Sequence, residues 1–238
     1  MLQPKTYPEL IGKALVLEAD PFVTLVQDDN PWVEGLCLTA SVGFVVGVAH
    51  LLGSLLMTAA LPPGAIVQAA LLQAWRQFSP NLGAGVDPTL VEERFQQLWL
   101  IVTALTGYGG GWFRLFTVVT TPLALVLQWL MVGLIVFGMA RALGGHGTLN
   151  QTLGATALMV APHVLSLLTV VPFVSVGNLL LTTWSLLIVY RAAEVTHDLP
   201  WQRAIWVALA PLGFMLLVAI VASFLISAGI GIFLGGAS

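Results

Sequence analysis

The sequence predicts an all-α protein: a polytopic membrane helix bundle of about five transmembrane helices plus interfacial helices. Two observations predict it. Of 238 residues, 58% are hydrophobic and only 8% are charged, whereas a soluble domain carries about a quarter charged residues. So few charges cannot cover a water-facing surface, and the bilayer has to be the main solvent. The apolar residues also gather into long runs, close to the roughly 20 residues that cross a hydrocarbon core. In lipid, a helix satisfies every backbone donor and acceptor within one segment, so these runs read as helices.

Residues 1–34 mix charges with short apolar pieces and read as an N-terminal cytoplasmic or interfacial segment, without the pattern of a signal peptide. Within them, Tyr7 to Ala19 reads as an interfacial helix. Glu18 intrudes near its apolar face, and Asp20-Pro21 is its expected stop. Residues 35–238 read as the transmembrane domain. The first span runs from Gly35 to about Ala60, before Pro62-Pro63. The second runs from Leu115 to Ala140 and ends at Arg141. The third runs from about Gln151 to Pro172, and the fourth from about Ser175 to Tyr190, ending at Arg191. The fifth, from about Ala204 to Leu234, is long enough to tilt or to project. Pro122, Pro162 and Pro211 fall inside spans. Each removes a backbone hydrogen bond, which predicts kinks and a crevice in the bundle.

Residues 61–114 read as a long extramembrane or interfacial loop with structure of its own. Val67, Leu71, Ala74, Trp75 and Phe78 fall on one helical stripe, with Gln68, Gln73, Arg76 and Gln77 opposite. That pattern suits a helix lying on the membrane with Trp75 at headgroup depth, or one packed on the outer ends of the spans. "PTLVEERFQQLWLIVTALTGYGGGWF" follows. It reads as a surface helix, a re-entrant segment or a sixth span, broken at Gly107 to Gly111. A sixth span would turn the C-terminus inside.

Lysine and arginine placement sets the orientation. Lys5, Lys13, Arg141, Arg191 and Arg203 lie on one side of a five-span chain, and Arg76, Arg94 and Arg114 in the long loop on the other. Short loops count most in this rule. The expected arrangement is multi-pass in the cytoplasmic (inner) membrane, with the N-terminus cytoplasmic and the C-terminus outside.

Signatures of soluble enzymes are missing: there is no HExxH, no GxSxG and no Walker A loop. No Asp or Glu falls well inside a span, as ion pumps and aspartyl proteases of the membrane require. One cysteine, Cys37, excludes an intrachain disulfide and a cysteine zinc site. A net charge of −3 argues against nucleic acid as a partner. The expectation is a non-enzyme without metal or cofactor.

Two ionisable residues do lie at depth, His50 and His163. They are weak candidates for haem or pigment ligation or for a proton path. The plainer use is a hydrogen bond to a neighbouring helix or a water. A possible cytoplasmic polar cluster comprises His146, Asn150, Gln151, His197 and Gln202. His146 precedes Gln151 as His197 precedes Gln202, each pair followed by a proline within a span. The plainer reading is helix capping: Thr148 and Gln151 fit a capping box, and Asp198 an N-cap with Pro200 in the first turn. Small residues at every fourth position provide helix-packing faces: Gly35, Thr39, Gly43 and Gly47 in the first span, and Ser223, Ser227, Gly231 and Gly235 in the fifth. They serve packing within one bundle, or self-association, or docking of another membrane subunit.

The stretch "ALGGHGTLNQTLGATALMVAP" resembles the middle signature of the Yip-one domain family. That signature is a short glycine-containing loop, a glutamine soon after, and a span with a proline. "LLLTTWSLLIVYRAAEVTHDLPWQRA" is similar to the tryptophan-containing span that follows it, with Trp184, His197 and then Pro211 where the pattern has them. "IGKALVLEADPFVTLVQDDNPWVEGL" resembles the opening of bacterial members, and the loop from Leu61 to Arg114 fits least well. The resemblance implies five spans, a cytoplasmic N-terminus and a membrane adaptor rather than an enzyme. Eukaryotic relatives bind prenylated Rab GTPases and shape or sort vesicle membranes. This chain lacks their long acidic, aromatic N-terminal domain.

The leading expectation is therefore a non-catalytic scaffold, assembly factor or accessory subunit of a membrane complex, with the lipid bilayer and other membrane subunits as partners. One alternative is a small permease or channel, supported by the proline kinks and by His50, His163, Gln128 and Asn178. Another is a redox or pigment subunit using His50 and His163.

Overall fold

The computed structural model describes residues 4–60, 62, 64–78, 88–106 and 113–235. Side chains are described for these except at 4, 58, 88, 102–106, 113 and 225–235. Among the described residues there are nine α-helices and no strand. They are α1 (Tyr7–Leu15), α2 (Asp20–Val26), α3 (Pro31–Ala60), α4 (Gly64–Phe78), α5 (Pro88–Thr106), α6 (Phe113–Ala142), α7 (Leu149–Thr156), α8 (Asn178–His197) and α9 (Trp201–Gly235). A 3₁₀ helix, Ala157–Val170, continues α7. Five segments are long and apolar enough to cross a membrane: Pro31–Met57, Arg114–Ala142, Leu149–Val170, Asn178–His197 and Trp201–Phe224. The five expected spans are therefore present. Within α5, side chains are described for residues 89–101, where Glu92, Glu93 and Arg94 lie close together; charge at hydrocarbon depth is costly. The expected break at Gly107 to Gly111 lies outside the described residues.

Several boundaries differ from the sequence expectation. Helix α1 stops at Leu15, because Leu17 turns the chain with a positive φ of 62°. Glu18 lies beyond that turn and is exposed. Asp20-Pro21 does not stop a helix but starts α2, where a proline in the first turn has no intrahelical N–H to lose. Helix α8 continues through Arg191 to His197. Arg191 pairs with Glu194 one turn on, so the charge need not end the helix. Asp198, expected as the N-cap of the last span, instead ends α8 with a φ of 52°. The Pro200 carbonyl takes the first backbone donors of α9, from Arg203 at 2.9 Å and Ala204 at 3.1 Å.

The third span changes winding at Ala157, where a single kinked α-helix is expected. Several of its carbonyls accept from side chains. Leu153 O accepts from Trp129 Nε1 at 2.9 Å, Thr152 O from Thr156 Oγ1 at 2.7 Å, and Met159 O from Ser185 Oγ at 2.8 Å. Pro162 also lacks an N–H to give. Side chains thus compete with the α-helical ladder at several points of the segment.

The chain divides into two compact units. The first comprises Met1–Ala40, Leu125–Pro162 and Asn178–Ser238. Its core joins Tyr7, Leu10, Phe22 and Leu25 of α1 and α2 to Leu38, Trp129, Leu158 and Ile188 of the spans. Trp184 Nε1 donates to Leu15 O at 3.0 Å, and Tyr7 OH donates to Glu34 Oε1 at 2.7 Å. Helices α1 and α2 thus bury an apolar face on protein as part of this unit.

The second unit comprises Ser41–Ala124 and His163–Gly177. Its helices approach through glycine. A methyl group at Gly43 would lie 2.5 Å from Pro122 Cα, one at Gly47 3.0 Å from Thr117 O, and one at Gly53 2.2 Å from Thr169 O. Helix α4 packs its apolar stripe against α5: Leu71, Trp75 and Phe78 face Val91 and Phe95 across a shared groove. Arg76 closes the pair with two 2.8 Å hydrogen bonds to Glu92, the fork geometry that suits guanidinium and carboxylate.

Candidate functional site

The glycine loop between α6 and α7 folds directly against the end of α8. Helix α6 finishes with the Gly145 N–H donating to Ala140 O at 2.8 Å, after Gly144 takes a φ of 90°. This left-handed residue lets the chain leave the helix and satisfies a carbonyl left free at its end. Arg203 Nη1 donates to Leu143 O at 2.9 Å and Arg141 Nη1 to Gly145 O at 3.3 Å. Both cations sit at the C-terminal end of α6, where the helix dipole favours positive charge.

His197 is completely buried under this loop. The His146 N–H meets His197 O at 3.4 Å. A methyl at Gly145 would lie 2.8 Å from His197 Cβ, and one at Gly147 2.6 Å from Thr196 O. Only glycine lets the backbone lie so close to the imidazole. Thr152 Oγ1 donates its one proton to Thr148 O at 2.8 Å and stands 2.9 Å from His197 Nε2. The hydroxyl must therefore accept there, which assigns the neutral ring its proton on Nε2. Nδ1 has no hydrogen-bond partner among the described residues and faces the loop glycines.

Around this contact the remaining polar groups hold the junction together. Thr148 caps α7 by accepting from Gln151 N at 3.3 Å, and Gln151 Oε1 accepts from Thr148 N at 3.0 Å, forming the expected capping box. Asn150 Oδ1 accepts from Trp32 N at 3.2 Å, which ties the start of α3 to that of α7. His146 is exposed through its side chain. The structure thus gathers His146, Asn150, Gln151 and His197 at one junction. Gln202 is exposed, and its side chain makes no hydrogen bond among the described residues.

Of the other sequence candidates, His50 is exposed on α3 and His163 is half-buried. No group of three or more His, Cys, Asp or Glu gathers to hold a metal among the described residues. The first-span stripe faces its own chain: a methyl at Gly35 would lie 3.0 Å from Ala157 Cβ, Thr39 is fully buried, and Gly43 and Gly47 make the approaches given above. Ser223 is exposed and bonds Ala219 O at 2.8 Å. The side chains of Ser227, Gly231 and Gly235 lie outside the described residues. The sequence reading missed Trp129, Glu34 and the contact of Gly154 with Pro31, where a methyl would stand 2.6 Å from Pro31 Cβ. The available signal was a Trp within an apolar span, whose N–H needs an acceptor when buried.

Five membrane-competent helices and no strand among the described residues define an integral, multi-pass membrane protein of the α-helical class. The chain belongs to the Yip1 domain family, whose model matches residues 15–223. This is the Yip-one family of the sequence resemblance, and the match runs through the long loop that fits the pattern least well. Members are generally non-catalytic membrane proteins. No curated protein and no solved structure gives a match.

Proposed function

We propose that this protein is a non-catalytic scaffold, assembly factor or accessory subunit of a complex in the cytoplasmic membrane. One observation carries the reading. Every described residue of α9 from Leu212 to Phe224 is exposed, whereas the polar groups of the loop junction mostly bond one another. The chain offers an uncovered span for docking, and the polar groups of the loop junction among the described residues are mostly taken up by one another. A bare span favours packing against other helices through van der Waals contact and small residues. Arg141 and Arg203 meet the same loop, which supports the orientation with that loop and the N-terminus in the cytoplasm and the C-terminus outside.

Gentle detergent extraction tests the reading. The expected result is a second membrane protein retained at fixed stoichiometry, captured by a photo-crosslinker at Leu216 and not by one at the buried Val207. A lone chain with intrinsic turnover or solute flux would overturn it.

A further inference from the structure

Helices α1 and α2 enter the first unit as a hairpin and turn back inside it. At the open end, Tyr7 OH donates at 2.7 Å to Oε1 of Glu34, in the first turn of α3. At the turn, Leu15 O accepts from Trp184 Nε1 at 3.0 Å. Trp184 stands thirteen residues before His197, where α8 ends beneath the glycine loop. Thirteen helical residues rise about 20 Å, more than half of a hydrocarbon core of about 30 Å. The buried side of the hairpin agrees with that depth. Leu10, Ala14, Phe22 and Leu25 share one core with Trp129 and Ile188, each near the middle of its span. Helix α1 therefore points into the membrane, and α2 leads the chain back out to α3.

The other side of the hairpin is charged. Glu9 pairs with Lys13 at 2.9 Å, and Asp20 and Glu18 lie near enough to act on the same ammonium. Glu9, Lys13, Asp20 and Thr24 line a cleft of about 180 Å³ between the two helices. Glu9, Glu18 and Asp20 are exposed, and so is Val16 at the turn. Carboxylates at this depth are costly against hydrocarbon, and charged groups inside membranes are met by local thinning and water. Both signs of charge are present, carboxylates for an ammonium and Lys13 for a phosphate. That pattern fits zwitterionic headgroups and their water.

We propose that α1 and α2 form a re-entrant hairpin whose outer face draws lipid headgroups and their water into the leaflet, towards the level of Trp184, while Val16 at its turn meets acyl chains. The bilayer is locally thinned along this face. The lipid contact is independent of the scaffold role and of which membrane face is cytoplasmic.

The test is spin labelling of the whole protein in phosphatidylcholine nanodiscs, which leave both membrane faces open, with Cys37→Ser as background. At each nitroxide, collision with a water-soluble nickel chelate is compared with collision with oxygen, which concentrates in hydrocarbon. Leu187, exposed on α8 and nearer than Trp184 to the glycine loop, is the lipid-facing control, and His146 in that loop is the water-facing one. Labels on Glu18→Cys and Asp20→Cys should match His146→Cys and exceed Leu187→Cys about tenfold in the chelate-to-oxygen ratio, because polar solutes are expelled from hydrocarbon. The label on Val16→Cys should resemble Leu187→Cys. The label on Glu18→Cys should also speed the relaxation of lipid phosphorus nuclei more than that on Leu187→Cys. Ratios at Glu18 and Asp20 equal to Leu187, or closure of both sites to both collision partners, would overturn the proposal. So would a label at Val16 as open to the chelate as one at His146, or the absence of any phosphorus effect. Asp20→Cys supplies the same readings where Glu18→Cys does not fold.

Discussion

Thr152 Oγ1 accepts from His197 Nε2 across 2.9 Å while donating to Thr148 O. One hydroxyl thereby joins the N-cap of α7 to the last residue of α8. Replacing it with a methyl in Thr152→Val leaves the imidazole N–H buried and unpaired. A buried unsatisfied donor costs about 1–3 kcal/mol. Thr152→Val should therefore lower the melting temperature in detergent by several degrees, whereas Thr152→Ser, which keeps the hydroxyl, should stay near the parent. Equal losses in the two variants would contradict the assigned hydrogen bond.

The glycines differ in what surrounds them, so alanine should sort them. At Gly43 the added methyl meets Pro122 Cα at 2.5 Å, and at Gly147 it meets Thr196 O at 2.6 Å, both backbone atoms of another segment. At Gly138, inside α6, it meets nothing within 4 Å. Gly43→Ala and Gly147→Ala should destabilise, through overpacking of about 1–3 kcal/mol. Gly138→Ala should stabilise, because alanine is the better helix former by about 1 kcal/mol. Thermal melts of the three variants side by side check the order.

Tyr7 gives a pH dependence of known sign. Burial, and then the hydrogen bond and charge of Glu34, push its phenol above the usual range. A raised folded pKa means the stabilisation is full below the unfolded value of about 10 and is lost as pH climbs past it. Melting curves of the parent and Tyr7→Phe should therefore differ at neutral pH and converge above about pH 10. A constant difference across that window would show that the Tyr7–Glu34 bond is not its source.

Five spans place the loop before α7 and the loop before α8 on opposite faces of the membrane. With Cys37→Ser as background, a single cysteine at His146 should label with an impermeant maleimide only after the cells are opened. One at Phe173, which is exposed, should label in intact cells. Labelling of both from outside would contradict the topology.

The spans were legible because few residues other than apolar ones stand inside them, and lipid leaves such a run little choice but helix. The capping box at Thr148 and Gln151 was legible for a local reason: both partners lie within one turn. The end of α8 was not. Arg191 reads as a loop residue until its Glu194 partner is seen, and Asp198 suits an N-cap as well as it suits the left-handed turn it takes. The changed winding of the third span was hidden because its causes, Trp129 and Ser185, belong to other helices. The sequence places His197 in a possible cytoplasmic polar cluster but does not show that it is buried. Its burial depends on Gly145 and Gly147, about 50 residues away in sequence, and no local pattern reports that contact.

The central claim, that this Yip1 domain protein serves a membrane complex without catalysis of its own, is tested most directly by native mass spectrometry of the gently extracted protein. The account predicts a defined assembly holding this chain and another membrane subunit at fixed stoichiometry, which a bulky polar substitution at Leu216 disrupts. A single chain surrounded only by lipid, in membranes where it supports solute flux or turnover by itself, would contradict it.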